Sequence, residues 1–258
     1  MDLPINQIIC GDCLEVMPLL PDKSIDMILC DLPYGTTACK WDTIIPFEPL
    51  WKQYERVIKD NGAIVLFGTE PFSSYLRTSN INLYKYDWKW RKNKVGNVFN
   101  CKNSPLKIYE DIIVFSKGSI ANGAKLMMQY YPQGLIECNA NRSNKRTSLD
   151  TTIGHRPSRQ NDYNQKFTNY PLNILEFNSE TGFHPTQKPV ALFEYLIRTY
   201  TNEGEIVLDN CIGSGTTAIA ALNTGRFFIG IEKEPKYVEI ARQRLEQAQA
   251  QQSLFAEA

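Results

Sequence analysis

The sequence has few of the residues from which metal sites are built. Histidine occurs only at positions 155 and 184, and the pair Cys10 and Cys13 has no second CxxC pair to complete it. A structural zinc site needs four ligands, so we expect no bound metal. The seven cysteines are scattered, and several lie in apolar segments, which is typical of free thiols in a reducing compartment.

Long hydrophobic runs are also missing. No apolar segment reaches the roughly 18 residues of a membrane span, and no basic and then apolar leader opens the sequence. We therefore expect a soluble intracellular protein that does not enter a membrane. With 258 residues, of which 43% are hydrophobic and 22% charged, the chain can bury a full core.

Net charge is absent as well, because 28 basic residues balance 28 acidic ones. Any attraction to a polyanion must therefore come from local patches. Segment 85–94 has five basic residues and one acidic residue, and segment 117–166 has eight basic residues and three acidic ones. Both contain interleaved aromatic residues. Such patches are more often plain solvated surface, but they are also the pattern of a nucleic-acid interface.

Strands and helices alternate along most of the chain, which predicts an α/β fold. Apolar runs and period-two alternation predict strands at 5–11, 25–30, 63–68, 84–90, 111–115, 205–208 and 227–231. Helical spacing predicts helices at 13–20, 47–60, 72–77, 189–200, from the turn after 209 through 222, and at 235–247. We expect Asn61-Gly62 to cap the second helix and the Gln- and Ala-rich residues after 247 to fray.

Segment 117–181 differs from the rest of the chain. Asn, Ser, Gln, Arg and Lys dominate it, and strong periodicity is lost. This composition predicts an inserted region between two halves of one domain, 1–116 and 182–258.

One short stretch has the chemistry of an amine-binding site. The predicted strand 25–30 is followed by Asp31-Leu-Pro-Tyr34, where the proline prevents a helix. Asp31 and the carbonyl of Leu32 can accept the two N–H hydrogens of an exocyclic amine, Pro33 stiffens the turn, and Tyr34 can stack on a planar base. Ligand sites of open α/β sheets lie at the carboxyl ends of strands, as this tetrapeptide does. An ordinary surface turn is the alternative.

A second stretch, 206–232, is typical of a nucleoside site. It predicts a strand, a Gly-rich turn, a helix and a second strand that ends in a carboxylate. Gly213 and Gly215 would let a ligand approach the backbone, the helix N-terminus favours an anionic group, and Glu232 can accept both hydroxyls of a ribose. The turn does not match GxGxxG, and the chain has no P-loop motif. A ligand with a ribose and a carboxylate but no phosphate chain is therefore the better fit.

Three motifs in a fixed order resemble those of the amino-methyltransferases of DNA, which move a methyl group from S-adenosylmethionine to adenine N6 or cytosine N4. The motifs are Asp31-Leu-Pro-Tyr34, Gly213-Ser-Gly215 after Asp209, and His184-Pro-Thr-Gln-Lys-Pro189. Their order is similar to that of the permuted β group, and the resemblance covers nearly the whole chain. The residues Gly35-Thr-Thr and Cys39-Lys-Trp-Asp42 also resemble those of adenine methylases from phages and prophages.

The resemblance implies a fold and a division of labour. It implies an α/β fold with a mostly parallel, seven-stranded, Rossmann-like methyltransferase sheet in circularly permuted motif order. Residues 1–116 would then be the catalytic half, 117–181 an inserted target-recognition region, and 182–258 the cofactor-binding half of the same domain.

The resemblance also implies roles for single residues. Asp31 and the Leu32 carbonyl would hold the amine of a flipped-out adenine, and Pro33 and Tyr34 would complete the catalytic motif. The cofactor-binding residues would be Asp12 for the adenine of the cofactor, Glu232 for its ribose, Asp209, Gly213, Ser214, Gly215 and Thr216 for its methionine end, and Thr186 and Lys188 for its carboxylate. The nucleic-acid-binding residues would be Lys92, Lys94, Arg142, Lys145, Arg146, Arg156 and Arg159.

Several alternatives stay open. Asp31, rather than a serine, favours adenine N6, with cytosine N4 as the nearest alternative. An RNA adenine methyltransferase, a small-molecule methyltransferase and an inactive DNA-binding relative are others. Trp88 and Trp90 are candidates for clamping the second face of the base, although strand aromatics more often belong to the core. Leu32 and Cys211 depart from the family pattern, which more often has a proline and an aromatic residue there, but neither change removes a functional group.

Double-stranded DNA is the expected partner, and S-adenosylmethionine is the expected cofactor. A homodimer and a cognate restriction endonuclease are further candidate partners. The expected location is the cytoplasm of a bacterium or of a phage-infected host cell.

Overall fold

A computed structural model describes residues 3–36, 42–142, 163–180 and 187–256 of the chain. Within these residues the strands are β1 (Gln7–Cys10), β2 (Ile25–Cys30), β3 (Ile58–Gly68), β4 (Tyr84–Gly96), β5 (Lys107–Phe115), β6 (Ile136–Arg142), β7 (Tyr163–Thr168), β8 (Ile174–Glu176), β9 (Ile206–Asp209) and β10 (Phe227–Glu232). The helices are α1 (Cys13–Val16), α2 (Phe47–Val57), α3 (Phe72–Ser79), α4 (Val190–Tyr200), α5 (Thr216–Asn223) and α6 (Pro235–Ala256), with short 3₁₀ helices at Met17–Leu19 and Val98–Asn100.

Eight of the described strands form one large sheet in the order β1-β10-β9-β2-β3-β5-β4-β8, and β6 and β7 form a separate two-stranded sheet. Only β5 runs antiparallel to its neighbours, β3 and β4, and the other pairings are parallel. The prediction of an α/β fold with a mostly parallel sheet is therefore confirmed. The sheet has eight described strands and not seven, because the three-residue strand β8 pairs with β4 at one edge.

Helices cover both faces of this sheet, which explains why five of the six residues of β2 are apolar. All six residues of β2 are buried, as expected for a parallel strand covered on both sides. On one face Met27 and Leu29 pack with residues of α4, α5 and α6. On the other face Ile28 and Cys30 pack with residues of α1, α2 and α3.

The strand order places a ligand crevice at the centre of the sheet. β2 pairs with β9, and the chain continues from β2 to β3 on one side but from β9 to β10 on the other. Connections that leave in opposite directions open a crevice at the carboxyl ends of such neighbouring strands. The carboxyl end of β2 leads into Asp31, and the carboxyl end of β9 is Asp209.

Two local predictions were wrong. Asn61-Gly62 does not cap α2, because α2 ends at Val57 and β3 already begins at Ile58. A Cβ on Gly62 would lie 2.5 Å from the carbonyl oxygen of Asp26, so this glycine permits a close approach of β2 and β3 at an irregularity in their pairing. The residues after 247 do not fray either, since α6 continues to Ala256.

The chain divides into two compact units. One contains residues 1–131 and 173–258, and the other contains 132–172, where β6 and β7 pair antiparallel. Residues 117–131 belong to the larger unit: the N–H of Gln129 donates to the carbonyl of Asn61, and that of Tyr131 donates to Thr199. The predicted boundaries at 117 and 181 stay predictions, and the smaller unit lies inside the predicted insertion.

Among the described helices, none combines the length and apolar character that crossing a membrane requires.

Candidate active site

The tetrapeptide after β2 forms one wall of a cavity. Both carboxylate oxygens of Asp31 have partners: the hydroxyl of Tyr34 donates to Oδ1 at 2.5 Å, and Nζ of Lys188 lies 2.5 Å from Oδ2. The Tyr34 ring packs on Phe72 with 5.0 Å between centroids. Burial raises the pKa of Tyr34 well above its usual value, so its hydroxyl stays protonated and acts as a donor to Asp31.

The turn after the tetrapeptide is fixed by a residue to which the sequence assigned no role. The buried carboxylate of Asp42 accepts hydrogen bonds from the N–H of Gly35 at 2.8 Å and from that of Thr36 at 2.9 Å. Both N–H groups belong to the segment directly after Tyr34. Asp42 therefore holds the backbone that follows the tetrapeptide, and it lines the same cavity.

Lys188 is a buried cation beside the tetrapeptide. Its side chain is 7% exposed, and its Nζ lies 2.5 Å from Asp31 Oδ2 and 3.3 Å from Glu110 Oε2. Burial alone would lower the pKa of Lys188, but the two carboxylates outweigh burial and raise the pKa above its usual value. The assignment of Lys188 to a cofactor carboxylate stays a prediction, and the structure gives its ammonium group two carboxylates of the protein instead.

Glu110 completes this cluster, and sequence reasoning missed it. It lies on β5, and its Oε1 accepts a hydrogen bond from Lys92 Nζ on β4 at 2.8 Å. Burial would raise the pKa of Glu110, but Lys188 and Lys92 together hold it below its usual value. Lys92, predicted to contact nucleic acid, thus already has a carboxylate partner, and its ammonium lies 5.9 Å from the centre of the Trp90 ring.

The turn between β9 and α5 supplies the opposite wall of the cavity. Asp209 is buried, and its carboxylate accepts from the N–H of Cys211 at 3.0 Å and from the hydroxyl of Thr217. Burial raises the pKa of Asp209 to about 7. This carboxyl therefore titrates near neutral pH, unlike an exposed aspartate.

We expect the substitution Asp209→Asn to stabilise the protein, relative to wild type, more at high pH than at low pH. The pKa of Asp209 rises from 3.8 to about 7 on folding, so between these values the folded chain holds a proton that the unfolded chain has lost. The stability contributed by this proton is present at the acidic end of the window and is lost as the pH rises through about 7. Urea unfolding at pH values of about 5 and 8 checks this, and a pH-independent difference between the proteins would contradict it.

The two glycines of the turn have different surroundings. Gly213 lines the cavity at φ +53°, and the nearest atom to a Cβ there would be 4.0 Å away. Its N–H donates to Glu232 Oε2 at 2.9 Å. Gly215, at φ +87°, faces α6, where a Cβ would lie 3.0 Å from the Cβ of Ala241. Gly215 does not line the cavity, and its surroundings indicate close packing against α6. Its contact with the cofactor stays a prediction.

The neighbouring residues of the turn are fixed by hydrogen bonds. Ser214 accepts from Arg244 of α6 through both its carbonyl, at 2.6 Å, and its hydroxyl, at 3.0 Å. Thr216 begins α5, and its hydroxyl lies 3.4 Å from the carbonyl of Lys188. This last contact joins the Gly-rich turn to the segment that carries the buried lysine.

Two further carboxylates stand at the ends of the outer strands. Glu232 ends β10, where its Oε1 accepts from the N–H of Glu234 at 2.8 Å, and burial raises its pKa. Asp12 follows β1 and caps α1 through a 2.9 Å hydrogen bond from the N–H of Leu14, which is the largest of the effects that lower its pKa. Its other oxygen lies 3.0 Å from Nζ of Lys233.

These walls enclose one cavity of about 380 Å³. Ends of four adjacent parallel strands, β1, β10, β9 and β2, contribute to it, so residues far apart in sequence meet there. Of the predicted catalytic and cofactor-binding residues, the following line it: Asp12, Asp31, Leu32, Pro33, Tyr34, Lys188, Asp209, Gly213, Ser214, Thr216 and Glu232. A concave site of this size with convergent polar groups is suited to a small organic ligand.

The other predicted site residues lie elsewhere or are not described. Trp88 and Trp90 are buried, and their ring N–H groups donate to the Tyr200 hydroxyl and the Phe177 carbonyl, so they belong to the core and are not base clamps. Lys94 is exposed on β4, and Arg142 donates to Gln165 within the smaller unit. Outside the described residues lie Thr37, Cys39, Lys40, Trp41, Lys145, Arg146, Arg156, Arg159, His184, Pro185 and Thr186.

Comparisons with known proteins agree with this arrangement. The family model described as DNA methylase, N6_N4_Mtase, matches residues 25–243. The Type II methyltransferase M.HpaI of Haemophilus parainfluenzae is 28% identical over 93% of this chain and 74% of its own length. The DNA adenine methyltransferase YhdJ of Escherichia coli (strain K12) is 30% identical over 93% of this chain and 83% of its own length.

Solved structures show the same fold. The crystal structure of the M1.HpyAVI-SAM complex superposes with a TM-score of 0.60 at 26% identity, covering 93% of this chain and 99% of that one. The cytosine-N4-specific PvuII DNA methyltransferase gives a TM-score of 0.65 at 17% identity, covering 92% of this chain and 84% of that one. At 17% identity the second likeness concerns the fold alone.

Proposed function

This chain belongs to the DNA methylase family, and on that premise we propose that it transfers a methyl group from S-adenosylmethionine to N6 of a flipped-out adenine in duplex DNA. The observation that carries the proposal is the shared cavity, in which the amine-binding tetrapeptide faces the Gly-rich turn and Glu232. The adenine target is supported by the named activity of the relative YhdJ and by the aspartate at position 31.

The cavity residues fit the cofactor by their chemistry. Each oxygen of Glu232 accepts one backbone N–H, so each keeps a lone pair for a ribose hydroxyl. Gly213 leaves open space at the backbone where a larger residue would stand. Asp12 would meet the adenine end, and Asp209, Ser214 and Thr216 would border the methionine end. When bound, S-adenosylmethionine supplies a methyl group activated by its sulfonium.

The tetrapeptide residues would prepare the target amine for attack. The lone pair of N6 is delocalised into the adenine ring, so the amine is a weak nucleophile. If Asp31 and the Leu32 carbonyl accept its two N–H hydrogens, the lone pair is localised toward the methyl donor. The adenine must leave the duplex to reach this site, and stacking on Tyr34 offsets part of that cost of a few kcal/mol.

Product analysis tests the proposal directly. The protein is incubated with methyl-labelled S-adenosylmethionine and duplex DNA, and the DNA is hydrolysed to nucleosides. Labelled N6-methyladenine is the expected product. Labelled N4-methylcytosine would replace the adenine assignment, and label on RNA alone would overturn the DNA substrate.

The exposed connection between β4 and β5 is a candidate DNA contact. Between Asn93 and Tyr109 the chain carries three lysines and no acidic residue, and Phe99 at the tip is 103% exposed. A basic, apolar tip of this kind fits a nucleic-acid groove, where lysines meet phosphates and an apolar side chain can wedge between bases.

We expect Lys94→Gln to weaken DNA binding about equally for all sequences and to reduce the salt dependence of the affinity. Loss of one phosphate contact lowers the slope of log affinity against log salt by about 1. Fluorescence anisotropy with labelled duplexes at several salt concentrations measures this slope. The matched control is Lys52→Gln on the exposed side of α2, and an equal effect of both substitutions would contradict a specific contact at Lys94.

The remaining partner predictions stay predictions. A homodimer is tested by light scattering on the purified protein at assay concentration. A cognate endonuclease is tested by asking whether DNA methylated by this enzyme resists a nuclease that cuts the unmethylated sequence. The named relatives above are bacterial proteins, and the resemblance to phage methylases stays a prediction.

A further inference from the structure

We propose that Glu110 is a positioning residue that offsets the charge of Lys188, so that Lys188 does not cancel the negative charge with which Asp31 faces the target amine. The inference rests on the function proposed above and adds to it a residue outside the tetrapeptide and the cofactor motif. Glu110 acts through Lys188 and Asp31, not by touching the substrate.

Four charged side chains form a chain of alternating sign. Lys92 Nζ lies 2.8 Å from Glu110 Oε1, Glu110 Oε2 lies 3.3 Å from Lys188 Nζ, and Lys188 Nζ lies 2.5 Å from Asp31 Oδ2. The four residues come from β4, β5, the start of α4 and the end of β2. The chain of charges therefore runs from Lys92 on β4 to Asp31, the expected acceptor of the target amine.

The inner members of this chain are shielded from water. The Lys188 side chain is 7% exposed, and its ammonium lies 5.8 Å from the centre of the Tyr34 ring and 5.3 Å from that of Phe67. Charges interact more strongly in such surroundings than at the surface. Lys188 therefore cancels much of the negative charge of Asp31 unless a second carboxylate compensates.

One buried oxygen of Glu110 faces Lys188 at ion-pair distance. Oε2 is buried and has no hydrogen-bond partner within the described part of the chain, although Lys188 Nζ lies within ion-pair distance. Leaving a buried acceptor without a hydrogen bond costs about 1 to 3 kcal/mol. A carboxylate kept in that position supplies a negative charge that a neutral amide of the same shape would not.

The reaction explains why the sign of the charge around Asp31 matters. As N6 forms its bond to the methyl carbon, the methyl–sulfur bond breaks and its electron pair stays on sulfur. Positive charge then passes to N6, which releases a proton to Asp31 and from there to solvent. Asp31 and Lys188 are neutral together, and the carboxylate of Glu110 adds negative charge beside Lys188 that stabilises the developing cation, while Lys92 on the far side of Glu110 offsets part of it.

Other titratable groups face this cluster from the elements around it. The Tyr34 hydroxyl donates to Asp31, and the charges of Asp31 and Glu110 both act on it. Cys30 of β2 and Asp209 of β9 also interact with the charge of Asp31. Glu110 and Lys92 are opposite in sign, pair with each other and lie on the neighbouring strands β5 and β4, so they make a matched pair for a test.

The test measures kcat, KM for DNA and the pH dependence of kcat for Glu110→Gln, Glu110→Asp and Lys92→Gln. We expect Glu110→Gln to lower kcat about tenfold with KM nearly unchanged, and to move the acid limb to lower pH because a site with less negative charge is harder to protonate. Glu110→Asp should recover a large part of kcat. Lys92→Gln should move the acid limb to higher pH.

A change of charge shifts the acid limb in opposite directions in Glu110→Gln and Lys92→Gln. Loss of packing would not produce opposite shifts. Wild-type kcat in Glu110→Gln, or shifts of the same sign in Glu110→Gln and Lys92→Gln, would overturn the proposal. If Glu110→Gln loses its cooperative thermal transition, Lys92→Gln decides: an acid limb at higher pH supports the proposal, and an unchanged acid limb or one at lower pH overturns it. Absence of N6-methyladenine with the wild-type enzyme would instead overturn the function proposed above.

Discussion

The substitution Asp31→Ala is expected to reduce methyl transfer about a thousandfold while changing the affinity for S-adenosylmethionine less than about threefold. The carboxylate would accept an N–H hydrogen of the target amine, and no other described carboxylate is placed at the end of β2. The cofactor contacts are expected from the other wall of the cavity, at Gly213 and Glu232. Single-turnover methylation and calorimetric cofactor binding measure the two quantities separately.

The control for this experiment addresses the buried lysine. Removal of Asp31 leaves Lys188 with Glu110 as its remaining carboxylate partner among the described residues, and an uncompensated buried charge can destabilise the fold. Asp31→Asn keeps the shape of the side chain and one acceptor oxygen, so it should retain more activity than Asp31→Ala. The melting temperatures of the two variants should be similar. Turnover near the wild-type rate in Asp31→Ala would contradict the catalytic assignment.

The substitution Gly215→Ala is expected to destabilise the fold by about 2 to 6 kcal/mol, since a left-handed backbone and overpacking each cost about 1 to 3 kcal/mol. Its φ is +87°, and an added Cβ would lie 3.0 Å from the Cβ and 3.1 Å from the Cα of Ala241. Little in this packed helix pair can move aside. Urea unfolding measures the free energy, and a loss below about 1 kcal/mol would contradict the packing role.

Gly213→Ala is the matched variant in the same turn. Its φ is +53°, but nothing lies closer than 4.0 Å to the added Cβ, so only the backbone cost of about 1 to 3 kcal/mol applies. Because Gly213 lines the cavity, we expect this variant to weaken cofactor binding more than it weakens folding. The pair therefore separates a glycine needed for a ligand from one needed for packing.

Sequence patterns predicted a strand or helix well where the local preference of the residues agrees with their burial in the fold. Strand β2 was predicted at 25–30 because Met27, Ile28 and Leu29 form the apolar run that a covered parallel strand requires, and the structure has the same bounds, Ile25–Cys30. Asn61-Gly62 misled the prediction because a turn signal reports only local preference. The close approach of β2 at Asp26 determined the backbone conformation at Gly62.

The candidate site was only partly visible in the sequence. The tetrapeptide and the Gly-rich turn could be found because each is a short continuous motif. Glu110 could not be found, since it lies on an ordinary strand about 80 positions from both Asp31 and Lys188. The lysines at 92 and 188 were assigned to external ligands because their protein partners lie on distant segments.

The sequence by itself determined the alternation of strands and helices, the order of the motifs and the family of the protein, because each depends on residues close together along the chain. The tertiary structure decided which charged side chains meet: Lys188 with Asp31 and Glu110, and Lys92 with Glu110. The physical reason is that ion pairing in a buried site depends on strand order and register. Strand order and register bring the end of β2, β5, β4 and the segment before α4 together. No periodic pattern along the sequence indicates this arrangement.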